Sequence, residues 1–228
     1  SYGVTEAQRI WDNAGMTAES LCVACLFEDE ALLRKQLDLS DMFGARTLVI
    51  ITGGFEALKS AGHDGDIDYA RSLLVERLAL AAELADSYRV RLAFEPLHPM
   101  VCGFRSIVST LQESLDILDQ MDDSHDIGLA IDTYALWWEH DLQEKLKRAG
   151  RRILNYHVSD WLADTRDLRL DRGMPGDGQI ALCDWRHMIE AAGYVGPIEV
   201  EIFSRDRWWK TPAEKMIEEI IQRMNSAF

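Results

Sequence analysis

Residues Ile153-Leu-Asn-Tyr-His-Val-Ser-Asp160, followed by Arg172-Gly-Met-Pro-Gly-Asp-Gly-Gln-Ile180, decide how the chain is read. An apolar strand ends here in a histidine and an aspartate, and a Gly/Pro-rich loop bearing an arginine comes after it. Three other apolar runs also end in an acid: Leu92-Ala-Phe-Glu95, Leu129-Ala-Ile-Asp132 and Ile198-Glu-Val-Glu201. Chemistry placed repeatedly at strand ends is the mark of a parallel sheet whose C-terminal edge carries the site.

Working outward, the pattern is one of alternation. Residues 5–14 read as a helix with Thr5 as N-cap and Gly15 as its stop. Leu21–Phe27 is a continuous apolar run, expected as a strand covered on both faces. Residues 29–43 form a helix stopped by Gly44, and Thr47–Thr52 is the clearest buried strand. The polar segment Phe55–Asp66 reads as a mobile loop. Residues 68–87 place Leu74, Leu78, Ala81 and Ala85 on one helical face, and Arg89–Pro96 returns as a strand. Thr110 and Glu113 make a capping box, Ile127–Thr133 is a strand, and Glu139–Ala149 a helix. After the strand Ile153–Ser159, Asp184 caps a helix that stops at Gly193. Pro197–Phe203 is the last strand, and Thr211-Pro-Ala-Glu214 opens the final helix. Six strands alternating with helices mean parallel strands joined by helical crossovers.

The 228 residues, 47% of them hydrophobic, favour one domain with an ordinary core. No run approaches the roughly 18 apolar residues of a membrane span. With 24 Lys and Arg against 39 Asp and Glu, a net charge of -15 excludes the basic footprint of nucleic-acid binding. A neutral polyol, a sugar, or a substrate held through a cation fits better. Cys22, Cys25, Cys102 and Cys183 are too few and too scattered for a disulfide scaffold. Cys22-x-x-Cys25 has the spacing of a redox pair but sits inside the apolar run Leu21–Phe27 rather than opening a helix, so it is expected as buried free thiols in a reducing cytoplasm. No secretory signal opens the chain at Ser1-Tyr-Gly-Val.

In a parallel barrel, Glu95, Asp132, His157 and Glu201 are placed to converge although they lie far apart in sequence. Three carboxylates and an imidazole suit a hard divalent ion such as Mn²⁺, Mg²⁺ or Co²⁺. Any one of them alone reads equally well as a solvated loop acid or a hydrogen-bonded core histidine. Four together, each directly after a buried strand, do not, because an unpaired buried charge is costly.

The chain resembles the xylose isomerase-like TIM-barrel proteins, the sugar isomerase/epimerase group related to ketose 3-epimerases and hydroxypyruvate isomerases. The resemblance lies in Phe94-Glu95-Pro96, Ile131-Asp132-Thr133-Tyr134, His157-Val158-Ser159-Asp160, Arg172–Ile180, and Gly193-Tyr194 leading to Val200-Glu201. It implies a (β/α)₈ barrel whose first two strands are missing or not shown, so the six visible strands stand third to eighth. It further implies one divalent metal ion, with Mn²⁺ first and Mg²⁺, Co²⁺ or Zn²⁺ as alternatives, held by Glu95, Asp132, His157 and Glu201. Glu95 and Glu201 become the proton-transferring pair, Arg172 a substrate contact, and the assembly a homo-oligomer. Where many relatives carry a substrate-binding histidine three residues after the metal-binding aspartate, this chain has Ala135; His98 and His140 either replace it or are simply placed at the surface.

Other features carry open alternatives. Trp137-Trp138 and Trp208-Trp209 follow two of the site-bearing strands, either to pack on a sugar ring or to pack on helices or a partner subunit. Asp160 is a support for His157, a substrate contact, or a solvated acid. The expected function is isomerisation or epimerisation of a sugar, keto-sugar or related polyol through an enediolate, one glutamate removing a proton from carbon and the other returning one. The alternatives are a metal-dependent lyase on an oxidised sugar and a catalytically weakened binding or assembly subunit. A DNA-repair endonuclease on the same barrel fits poorly with six histidines and the acidic charge.

Overall fold

The computed structural model describes residues 3–122 and 125–226. Helix and strand alternate as expected, and the chain divides into two compact units. The first takes in the chain as far as Phe94, with Gly103–Ile107 and Asp116–Gly128; the second takes in Glu95–Cys102, Val108–Leu115 and the chain from Leu129 onward.

The first unit runs α1 (Val4–Ala14), β1 (Ser20–Cys25), α2 (Glu30–Phe43), β2 (Thr47–Ile51), α3 (Phe55–Ser60), α4 (Ile67–Tyr88) and β3 (Arg91–Phe94). Its strands are parallel in the order β1-β2-β3. Every residue of β2 is buried, as its uninterrupted apolar sequence demands. Ala70, Leu74, Leu78, Ala81, Ala82 and Ala85 form the buried face of α4, the alanines leaving room for close approach. Asp29 and Asp66 cap α2 and α4 by accepting from the amides of Ala31 and Tyr69.

Helix α5 (Leu111–Leu118) leads to β4 (Ile127–Asp132), α6 (Thr133–Leu136), α7 (Leu142–Ala149), β5 (Ile153–Val158), α8 (Leu182–Ala191), β6 (Glu199–Val200) and α9 (Ala213–Ser226). In the second unit the parallel order is β4-β5-β6, with Asp132 in register with His157 and Val158 with Val200. Two strand-end site residues are thereby brought level across neighbouring strands.

Several local expectations are corrected. Thr5 is not the cap of α1; Gly3 stands there with no side-chain hydrogen bond, while Gly15 does close the helix in the left-handed region at φ 64°. β1 is half-exposed rather than covered on both faces, because it pairs only with β2 among the described residues. The segment Phe55–Asp66 contains α3 and is not a plain loop. Asp184 lies in the first turn of α8, whose N-cap Ala181 makes no side-chain cap. β6 is two residues long, so Glu201 stands just past it. The four cysteines form no disulfide, and of the C-x-x-C pair Cys22 is exposed and Cys25 only partly buried.

Glu139 does not belong to a helix. Its buried carboxylate instead accepts from the amides of Leu111 at 2.8 Å and Gln112 at 3.4 Å, closing the N-terminus of α5, and is paired by Lys145 at 2.8 Å. The Thr110 half of the predicted capping box is present as well, its hydroxyl accepting from Glu113 N at 3.1 Å.

Candidate metal centre

All four strand-end residues lie in the second unit. Asp132, the last residue of β4, is fully buried; one carboxylate oxygen accepts from Tyr134 N at 2.9 Å and so starts α6. His157 is next to last in β5 and Glu95 directly follows Phe94, both buried. Glu201, after β6, is 22% exposed at its side chain. Oxygen atoms of Glu95, Asp132 and Glu201 all lie within 4.8 Å of one another. His157 Nδ1 faces Glu95 Oε1 at 3.7 Å and Glu201 Oε2 at 4.0 Å. Donors roughly 2.0–2.6 Å from one ion stand about 3–5 Å apart, so this spacing and this oxygen-rich donor set fit a divalent cation.

Arg172 is part of the same cluster. Its Nη1 donates to Asp132 Oδ2 and Glu201 Oε2, each at 2.9 Å. The loop that carries it is stitched to the strand ends. Asp160 and Gly173 exchange backbone hydrogen bonds at 2.9 Å, and Arg172 N donates to Phe203 O at 2.9 Å. The guanidinium lies over the Tyr134 ring at 4.4 Å and the Phe203 ring at 5.2 Å. Its buried Nε finds no acceptor among the described residues.

Burial governs the electrostatics. It pushes the Asp132 carboxyl up, against the pull of Arg172. It pushes Glu201 up to about 7, opposed by Arg172 and reinforced by Glu95 and Asp132. The three acids hold Arg172 above its ordinary value in spite of its own burial. Tyr134 is pushed up to about 12, again by burial, and keeps its proton to donate to Leu168 O at 3.2 Å.

Asp160 is buried, and its carboxylate accepts four backbone N–H bonds, from Trp161, Gly176, Gly178 and Ile180, at 2.8–3.0 Å. It holds the Pro-Gly-Asp-Gly loop in place. Gly178 must be glycine here, since a Cβ would come within 2.2 Å of Trp161 O and 2.6 Å of Asp160 Oδ1. His98 is half-buried, and burial lowers its pKa. Its ring stacks on Trp161 at 4.7 Å, and Trp161 in turn meets Tyr134 at 4.8 Å and Trp137 at 5.6 Å. An aromatic surface therefore extends from Arg172 through Tyr134 to Trp137. The indole N–H of Trp137 is buried with no acceptor among the described residues.

Ala135 is buried in α6 and its carbonyl accepts from Trp138 Nε1 at 2.7 Å. His140 is exposed, whereas His98 stands beside Tyr134, with ring centroids 6.5 Å apart. Trp208 donates to Asp177 Oδ2 at 2.7 Å, and Trp209 is half-exposed. Trp161 and Asn155 were not singled out from the sequence. Asn155 was legible in principle, lying two residues before His157 on the same strand face.

The family described as Xylose isomerase-like TIM barrel matches residues 28–227. The chain belongs to this family. A solved protein from Sinorhizobium meliloti 1021 is 39% identical to this member of the family, with a TM-score of 0.85 over 99% of this chain and 83% of that one. The IolI protein, solved with a zinc atom, is 18% identical at a TM-score of 0.79, covering 100% of this chain and 82% of the other. A D-allulose 3-epimerase from Methylomonas sp. is 17% identical at 0.74, covering 100% and 83%. The last two similarities speak to the fold alone. No curated protein matches the chain.

Proposed function

We propose that the chain is a divalent-metal-dependent isomerase or epimerase of a sugar, keto-sugar or related polyol. The observation that carries this reading is the convergence of the Glu95, Asp132 and Glu201 carboxylates at mutual spacings that fit one ion, with His157 Nδ1 beside Glu95 and Glu201, in a member of the xylose isomerase-like family. The zinc-bearing IolI protein and the allulose epimerase of the same fold agree with it.

Glu95, Asp132, His157 and Glu201 would hold the ion, which when bound supplies a Lewis acid for a substrate carbonyl. One of Glu95 and Glu201 removes the proton from the carbon beside that carbonyl. The other delivers a proton, to the opposite face of the same carbon for epimerisation or to the neighbouring carbon for isomerisation. Arg172 orients the substrate: Nη1 is committed to the carboxylates, and the uncommitted Nε is available to a substrate oxygen. Trp137 offers a second such donor beside an aromatic face that suits the apolar side of a sugar ring. Asp160 positions the arginine loop. The same reading takes residues 1–228 as one domain of a homo-oligomeric, cytoplasmic enzyme whose partner is a small molecule rather than nucleic acid or membrane; among the described residues no helix is long and apolar enough to cross a membrane.

Chelation is expected to abolish turnover, and Mn²⁺ to restore it. Solvent deuterium in a recovered, rearranged sugar is the expected NMR signature in deuterated water. A released fragment would instead identify a lyase, and full activity without metal would overturn the metal-dependent reading. Ala135 favours a second reading, a weakened binding subunit. Turnover appearing only in Ala135→His would support that reading, and robust wild-type turnover would refute it.

A further inference from the structure

The buried contact between Asn155 and His157 reaches beyond the ligand set. These residues lie two apart on β5 and so point to the same face, with the Asn155 amide nitrogen 2.9 Å from His157 Nε2. Both are almost wholly buried, at 2% and 1% exposure, so water does not exchange freely with either group. In this orientation the amide N–H donates and Nε2 accepts. A neutral imidazole carries a single N–H, which then sits on Nδ1, the nitrogen facing Glu95 and Glu201.

That tautomer suits two carboxylates and is wrong for a cation, which needs the Nδ1 lone pair. Turning the Asn155 amide over by half a rotation about its terminal torsion exchanges nitrogen for oxygen at the same spot. Nε2–H then donates to the amide oxygen, and the Nδ1 lone pair faces the carboxylate cluster. We propose that Asn155 is a positioning residue that selects the tautomer of His157, its amide reversing when a divalent cation enters. Asparagine serves both states because its side chain ends in a donor and an acceptor of nearly equal size. Aspartate serves only the cation-loaded one and leucine neither. This rests on the metal-binding reading above.

The test is long-range ¹H–¹⁵N NMR of the His157 ring, with Zn²⁺ as a diamagnetic probe, beside calorimetric Zn²⁺ titration. The chelated wild type is expected to show Nδ1–H, and the zinc-loaded protein Nε2–H. Asn155→Asp is expected to show Nε2–H in both states. Asn155→Leu is expected to bind Zn²⁺ about 10- to 100-fold more weakly, the usual penalty for losing a group that orients a ligand. Nε2–H already present in the chelated wild type would overturn the proposal, as would an unchanged Zn²⁺ affinity in a folded Asn155→Leu. A wild type that binds no Zn²⁺ would overturn the metal reading instead. The chelated-state comparison of wild type with Asn155→Asp would still decide the role of Asn155.

Discussion

Arg172 sets the charge balance of the cluster, because one guanidinium nitrogen serves the buried Asp132 and the partly buried Glu201 carboxylates at 2.9 Å each. Removing one member of such a group strands the others, at a cost of about 3–5 kcal/mol. Chelated Arg172→Met is therefore expected to melt on the order of 10 °C below chelated wild type. Bound Mn²⁺ should narrow the gap by neutralising the same oxygens. Lysine should rescue little, since an ammonium cannot lie flat over the Tyr134 and Phe203 rings as the guanidinium does; thermal denaturation with and without Mn²⁺ checks both. Glu201 carries a second prediction. Burial raises its folded pKa from an ordinary 4.5 to about 7, so its contribution to stability is fully present below 4.5 and is lost as pH climbs to 7. Between pH 4.5 and 7 the chelated wild type should thus lose stability relative to Glu201→Gln, which lacks this titration. Parallel melting curves for the two proteins across that range would count against it.

Among the elements, the loop after β5 shows how much a single side chain organises. Asp160 gathers four amides, so Asp160→Ala should loosen the loop without unfolding β5. Hydrogen exchange at Gly176, Gly178 and Ile180 is expected to quicken by about 10- to 100-fold, in line with a loss of about 1–3 kcal/mol of local stability. Substrate affinity should fall with it, as Arg172 sits on the same segment. The position of Asp160 at a strand end is legible in the sequence, but its role is not. An aspartate that accepts from residues 16–20 positions downstream leaves no periodic trace. Helix formers follow Glu139 and favour a helix starting there, but tertiary contact with the amides of α5 overrides that local preference. β6 shrank to two residues for a related reason: its apolar pattern is strand-like, but only Glu199 and Val200 pair with β5.

For the whole molecule, metal is expected to act as a stabilising ligand. Saturation at 100 times the dissociation constant adds about 2.7 kcal/mol, and a chain of this length should gain roughly 5–10 °C in melting temperature. Calorimetric scans with Mn²⁺ and with chelator measure the difference, and coincident transitions would contradict the proposed centre. The alternation of helix and strand, the buried β2, the face of α4 and the positions of Glu95, Asp132, His157 and Glu201 at strand ends were all determined by the sequence alone. Periodicity and glycine stops are local properties that a backbone of either unit must satisfy. Only the tertiary structure decided which side chains meet: Arg172 with Asp132 across 40 residues, Glu139 with α5, and Asn155 with the ring of His157. Those contacts depend on strand register, loop path and the demand that every buried charge and amide find a partner. No stretch of neighbouring residues encodes these by itself.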